Sequence, residues 1–78
     1  MPKLPVISGK KLVKVLSKIG FYVVKQEGSH IKMVRFSPLG KQTVIIPNHK
    51  EIKKGTLRNG ILGPINLSTE EFIKLLRK

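Results

Sequence analysis

"FYVVKQEGSHIKMVRFSPLGKQTVIIP", residues 21 to 47, contains three runs of β-branched and aromatic residues separated by two short turn signals. Such side chains favour strands, whereas glycine and proline favour tight turns. The pattern predicts strands over 21–26, 29–37 and 42–46, with turns at 27–28 and 38–41. Three strands joined by tight turns make an antiparallel meander.

An amphipathic helix is predicted before this meander. Ser8 is a suitable N-cap, and the apolar residues from Gly9 to Ile19 recur at the three-to-four spacing that gives a single buried stripe. Gly20 then supplies a left-handed stop. Lysines occupy the remaining positions of the helix, so its outer surface is basic.

Helical signals also follow the meander. Thr56 is the expected N-cap of a second helix, which Gly60 and then Gly63-Pro64 weaken and end. A capping box from Ser68 to Glu71 begins a last amphipathic segment. The order helix, three strands, one or two helices predicts an α+β domain in which the helices pack on one face of a three-stranded antiparallel sheet.

Simple pairing of the two hairpins predicts which side chains share a face. The turn at 27–28 would place Lys25 opposite His30, and the turn at 38–41 would place His30 opposite His49. Alternation then puts an apolar set under the helices: Tyr22, Val24, Ile31, Met33, Val44 and Ile46. The other face is expected to carry Lys25, His30, Lys32 and His49 near one end, with Val23, Val34, Phe36 and Ile45 further along. A bulge in either hairpin would shift this pairing by one residue.

The charge of the chain predicts a polyanionic partner. Sixteen Lys and Arg oppose four acidic residues, the net charge is +12, and the basic residues are spread along the whole sequence. A compact body this positive repels itself, and a polyanion relieves the repulsion. Nucleic acid is the first candidate, and an acidic protein, an anionic membrane and simple solubility are the alternatives. Lys10 and Lys14 of the first helix could follow a phosphate backbone or form a solvated face.

The composition argues against several other chemistries. There is no cysteine, so a disulfide framework and thiolate catalysis are excluded, and two histidines alone give no zinc pattern. Four Glu and no Asp offer little for a two-metal nuclease. No apolar run reaches the length of a membrane span or a signal peptide. We therefore expect a cytoplasmic protein with no membrane association, no metal and no small-molecule cofactor.

His30 is the candidate for proton transfer. RNA cleavage without a metal requires a group that takes the proton from a 2′-hydroxyl, a group that protonates the leaving oxygen, and positive charge beside the phosphorane. Imidazole suits either proton transfer, and the ammonium groups of Lys25 and Lys32 suit the third role. His49 is a possible supporting residue. Spacing alone leaves open the alternative that His30 is an ordinary solvated residue at a strand start.

Four blocks of the sequence resemble the HicA-type (YcfA-like) mRNA interferase toxins. "GFYVVKQEGSHIKM" is similar to their Gly-Phe, short strand and Gly-Ser-His pattern, and "VIIPNH" is similar to their segment after the third strand. "KKGTLRNGIL" and "LSTEEF" are similar to the two later blocks. The blocks occur in the family's order from about Ser8 to Leu76, which makes the resemblance more specific than any one of them.

The resemblance implies a double-stranded-RNA-binding-domain-like fold, α-β-β-β-α, that occupies residues 1–78 as a single domain. It implies the toxin of a type II toxin-antitoxin system, a metal-independent endoribonuclease that cleaves mRNA. The catalytic role falls on His30, with Gly28 and Ser29 completing the motif and His49 at a further matching position. A HicB-type antitoxin that covers the active site is the implied partner. The alternative is a non-catalytic RNA-binding module of the same fold.

One part of the chain departs from the family pattern. Gly60 is an extra residue, and Gly63-Pro64 replaces residues that are helical in the family. The second helix is therefore expected to be shorter than in the family or distorted at its end.

Overall fold

The computed structural model describes residues 3–77. The elements in chain order are α1 (Gly9–Ser17), β1 (Tyr22–Glu27), β2 (His30–Ser37), β3 (Gly40–Pro47), a π-helix (Thr56–Leu62) and α2 (Thr69–Leu76). The strands form one antiparallel sheet in the order β1-β2-β3. The α+β class and the double-stranded-RNA-binding-domain-like α-β-β-β-α order predicted from the sequence are confirmed.

The start of α1 is fixed from two sides. The Ser8 hydroxyl accepts a hydrogen bond from the Lys11 backbone N–H at 3.1 Å, which confirms Ser8 as the N-cap. The Gly9 N–H donates to the His49 carbonyl at 2.9 Å. A Cβ at Gly9 would lie 2.5 Å from the Pro47 carbonyl oxygen, so only glycine permits this approach of α1 to the end of β3.

All helices pack on the same face of the sheet. One hydrophobic cluster joins Leu12, Val15 and Leu16 of α1 to Ile61 of the π-helix and Phe72 of α2. All five side chains are fully buried. The sheet contributes Ile31, Met33, Val44 and Ile46 to this cluster, as predicted. We call the opposite side of the sheet, which faces away from the helices, the open face.

The predicted pairing register is wrong by two residues in both hairpins. The turns are Gly28-Ser29 and Pro38-Leu39, so His30 pairs with Glu27 on one side and with Pro47 on the other. Lys25 pairs with Lys32 and not with His30. Gly28 and Gly40 have φ of +54° and +120°, which places the left-handed positions of the two hairpins at these glycines. A shift of two preserves the alternation, so the predicted faces of β2 and β3 are correct.

A bulge in β1 reverses the faces at its first residues. The register shifts between Val23 and Lys25. On the N-terminal side of this shift, Val23 pairs with Met33 and Tyr22 pairs with Val34. Tyr22 therefore lies on the open face and not under the helices, where it was predicted. Val23 shows the opposite change, and Val24, also predicted under the helices, is 48% exposed.

The second helical segment is distorted, as its glycines indicated. Lys54 and Gly55 are already helical, so the expected N-cap Thr56 lies inside the segment and not at its start. The N–H of Gly63 donates to the carbonyl of Arg58 at 2.8 Å, five residues back, which is the π-helical pattern. Ser68 caps α2 as predicted, because its hydroxyl accepts a hydrogen bond from the Glu71 N–H at 3.1 Å, and the Glu71 carboxylate contacts that hydroxyl at 3.1 Å.

Arg35 holds the turn that follows α1 against the sheet. Its guanidinium donates to the Ile19 carbonyl at 3.1 Å and to Gln42 Oε1 at 2.9 Å from Nε. It also lies 4.7 Å from the centroid of the Phe21 ring, a cation–π distance. Arg35 thus contributes to stability from the helix-facing side and is not part of the open face.

Candidate active site

A hollow of about 200 Å³ on the open face collects the residues predicted to carry the chemistry. It is lined by Lys25, Glu27, His30, Lys32 and Ile45. Two cross-strand pairs build it, Glu27 with His30 and Lys25 with Lys32. Side chains directly opposite each other in an antiparallel pair have Cβ atoms about 5 Å apart. The imidazole of His30, two ammonium groups and one carboxylate therefore border the same small volume.

Glu27 is the member of this hollow that the sequence reasoning missed. Its carboxylate forms an ion pair with the Lys25 ammonium at 2.7 Å, and the two side chains are 71% and 62% exposed. Exposed pairs of this kind contribute little to stability, about 0–1 kcal/mol. Glu27 was predicted as a turn residue, and a turn at Gly28-Ser29 would have identified it as the strand residue facing His30.

The backbone around Gly28 and Ser29 sets the position of His30. Gly28 has φ +54°, and a Cβ there would meet nothing within 4 Å, so backbone conformation and not space favours glycine. The Ser29 carbonyl accepts a hydrogen bond from the Asn48 N–H at 2.6 Å, which ties the first hairpin to the end of β3. Gly28 and Ser29 thus support the site by fixing the backbone conformation just before His30.

His49 does not join His30. Pro47 occupies the position opposite His30 in β3, which corrects the predicted pairing of the two histidines. His49 lies two residues beyond and lines a separate hollow of about 230 Å³ with Ser8, Lys10, Asn48 and Lys50. Its carbonyl accepts the hydrogen bond from the Gly9 N–H. Through this backbone hydrogen bond, His49 helps to hold the start of α1 against the end of β3.

The predicted basic set divides into two groups. Lys25 and Lys32 lie beside His30 on the open face. Lys10 and Lys14 line a different groove, of about 310 Å³, between α1 and the β1 edge, where Val13 and Val23 supply apolar walls. The sheet separates the two groups, so a single short segment of RNA cannot contact both without passing around the β1 edge.

The hollow around His30 is suited to proton transfer beside a phosphate. An exposed imidazole can take up or release a proton, and ammonium groups can approach the anionic oxygens of a phosphate or phosphorane. Within residues 3–77, no three His, Cys, Asp or Glu side chains are grouped so as to hold a metal ion. Across the same residues, no helix has the length and apolar character needed to cross a membrane.

Fold and site together define a small basic α-β-β-β-α domain whose open sheet face presents a histidine beside a pair of lysines and a glutamate. A family model described as the HicA toxin of bacterial toxin-antitoxin matches residues 9–61, more than half of the chain. The chain belongs to this HicA toxin family, and membership implies an antitoxin partner. No curated protein matches the chain. No solved structure matches it either.

The matched region has a clear structural extent. It begins at the first residue of α1, includes all three strands with His30, and ends at Ile61 inside the π-helix. Of the positions expected to depart from the family pattern, Gly60 lies inside the matched region and Gly63-Pro64 lie just beyond its end. The open face lies wholly within the matched region.

Proposed function

We propose that this chain is the toxin of a type II toxin-antitoxin system and cleaves mRNA as an endoribonuclease, with His30 as its catalytic residue. The observation that carries the proposal is the shared hollow of His30, Lys25 and Lys32 on the open face. Membership of the HicA toxin family supports the same function.

In the proposed reaction the 2′-oxygen of one nucleotide attacks the adjacent phosphorus and the bond from phosphorus to the 5′-oxygen breaks. The products are a 2′,3′-cyclic phosphate and a free 5′-hydroxyl. His30 moves one of the two protons, either from the 2′-hydroxyl as general base or to the 5′-oxygen as general acid. Lys25 and Lys32 stabilise the additional negative charge that the phosphorane carries.

We further propose that RNA binding extends beyond the hollow through electrostatic contacts. The net charge of +12 favours association with any phosphate backbone. Lys10 and Lys14 would hold RNA that passes around the β1 edge, while Lys25 and Lys32 hold the phosphate that is cleaved. The proposed partners are therefore mRNA in the cytoplasm and an acidic surface of a HicB-type antitoxin that covers the exposed hollow.

The direct test is incubation of the purified protein with a long single-stranded RNA in the presence of a metal chelator. The proposal predicts fragments that end in cyclic phosphate, and growth arrest when the chain is produced in bacteria without an antitoxin. RNA that stays intact after overnight incubation would contradict it.

A non-catalytic RNA-binding module is the second candidate, because the hollow is shallow and its charged side chains are exposed. This candidate predicts binding without cleavage. Contact with six or more phosphates would lower the affinity by about 10³-fold between 50 and 200 mM salt in either case, so cleavage and not salt dependence separates the two.

A further inference from the structure

Beyond the His30 hollow, the open face carries two exposed aromatic side chains beside a buried valine. Along β2 the residues that point to this face are His30, Lys32, Val34 and Phe36. Phe36 is 67% exposed and Tyr22, across from Val34, is 48% exposed. Val34 is buried but does not belong to the core cluster, so side chains of the open face cover it. We call the two exposed rings, Tyr22 and Phe36, the aromatic row.

We infer that the aromatic row is a stacking platform for the bases of single-stranded RNA that lie next to the phosphate held at His30. This inference rests on the proposed function and names the form of RNA that the site accepts. Exposed rings on a sheet surface are the feature that lets a protein stack unpaired bases, and the energy of such stacking depends little on base identity.

The geometry of β2 supports a strand of RNA that runs along it. Alternate residues of a strand are spaced by about 6.6 Å, so His30, Lys32, Val34 and Phe36 form an evenly spaced series about 20 Å long. Tyr22 and Phe36 are diagonal neighbours on this face, at a separation of roughly 7–8 Å between backbones. An extended RNA can therefore place one phosphate at His30 and successive bases on the aromatic row.

Charge complementarity favours RNA as the occupant. Lys25 and Lys32 lie at one end of the aromatic row, and Lys41 pairs with Phe36 at the other. The backbone phosphates of a bound strand would thus meet ammonium groups on both sides of the rings. A double helix keeps its base faces stacked inside, so the aromatic row favours unpaired RNA over a duplex.

The composition of the chain supplies a reporter for this contact. Tyr22 is its one tyrosine, and the chain has no tryptophan. The intrinsic fluorescence of the protein therefore comes from a ring of the proposed platform, and a base stacked on that ring will quench it. The probe is a single-stranded RNA with 2′-fluoro sugars, which cannot be cleaved because the attacking hydroxyl is absent.

The inference predicts that this probe quenches Tyr22 fluorescence, whereas inorganic polyphosphate of similar charge binds without quenching. The blunt duplex of the same sequence should quench less than the single strand. Because the probe is uncleavable, quenching tests the platform independently of catalysis. Quenching without any nuclease activity on natural RNA would support the platform and contradict only the proposed function.

Substitutions at Phe36 complete the test. Phe36→Ala should weaken binding of the probe about tenfold or more, Phe36→Tyr should retain it, and Phe36→Leu, which keeps apolar surface but no ring, should resemble the alanine variant. Val6→Ala is the matched control, because Val6 is a 64% exposed apolar residue on the segment before α1, outside the three strands. Absence of quenching in the unaltered protein, or equal affinity of Phe36→Ala, would overturn the inference.

Discussion

Glu27 and His30 face each other directly as the cross-strand pair nearest the turn of the first hairpin. The same carboxylate holds the Lys25 ammonium at 2.7 Å. In the absence of RNA, Glu27 therefore places negative charge beside the proposed catalytic imidazole and engages one of the two lysines proposed to bind phosphate. An incoming phosphate has to compete with this carboxylate for Lys25.

Glu27→Gln is expected to bind RNA more tightly than the unaltered protein. The substitution removes a charge that repels phosphate and releases Lys25, and an exposed ion pair is worth up to about 1 kcal/mol, or roughly a two- to fivefold change in Kd. The measurement is the Kd of an uncleavable single-stranded RNA at low salt. The gain should shrink at high salt, where the charge is screened. Weaker binding by Glu27→Gln would show that the carboxylate contacts RNA favourably.

Lys32→Ala is expected to weaken RNA binding and to flatten its salt dependence. Each ammonium that neutralises a phosphate of a single strand contributes about 0.7 to the slope of log affinity against log salt, so the slope should fall by about that amount. Lys74→Ala is the matched control, since Lys74 lies on α2 and away from the open face. Equal slopes for the two variants would place the phosphate contacts elsewhere on this basic surface.

Gly9→Ala is expected to destabilise the fold. The added Cβ would lie 2.5 Å from the Pro47 carbonyl oxygen and 2.9 Å from the Asn48 Cα, and both are backbone atoms. Overpacking of this kind costs about 1–3 kcal/mol. Gly55→Ala is the control, because its Cβ would meet nothing within 4 Å. Its φ of −63° and ψ of −43° suit alanine, so a gain of about 0.4–1 kcal/mol is expected.

Chemical denaturation of the two glycine variants beside the unaltered protein measures both effects. A Gly9→Ala protein as stable as the unaltered one would mean that α1 does not approach the end of β3 as closely as described.

Arg35→Lys is expected to destabilise the protein nearly as much as Arg35→Ala. The planar guanidinium reaches the Ile19 carbonyl and Gln42 together while it lies over the Phe21 ring, and a single ammonium cannot reproduce this geometry. A loss of about 1–2 kcal/mol in the free energy of unfolding is expected for either variant. Lys41→Ala, at an exposed position of β3, should change it by less than about 0.5 kcal/mol. If Arg35→Lys were as stable as the unaltered protein, the contribution of Arg35 to stability would come from its positive charge and not from the planar guanidinium.

Local residue chemistry was sufficient to predict the element order and the caps. Ser8 and Ser68 cap their helices through hydrogen bonds to residues three further on, which depend only on local sequence. The core residues of β2 and β3 were also predicted, because an error of two residues in register leaves the alternation of faces unchanged.

The features that escaped prediction depend on tertiary packing or on competing local geometries. Several turns were compatible with each loop, so the pairing of His30 with Glu27 could not be chosen from the sequence. The bulge that brings Tyr22 to the open face has no reliable signal in a run of β-branched residues. The glycines indicated a distorted second helix, but not that the Gly63 N–H would bond the Arg58 carbonyl in a π-helical turn that buries Leu57, Ile61 and Leu62. The catalytic role of His30, by contrast, stays a proposal.

The most direct test of the account compares His30→Ala with His49→Gln for cleavage of a long single-stranded RNA in the presence of chelator. His30 is exposed at the start of β2, so His30→Ala should fold with a free energy of unfolding within about 0.5 kcal/mol of the unaltered protein. We predict that it binds RNA but no longer cleaves it, whereas His49→Gln, altered in a separate hollow, continues to cleave. Normal cleavage by a folded His30→Ala protein would contradict the central claim.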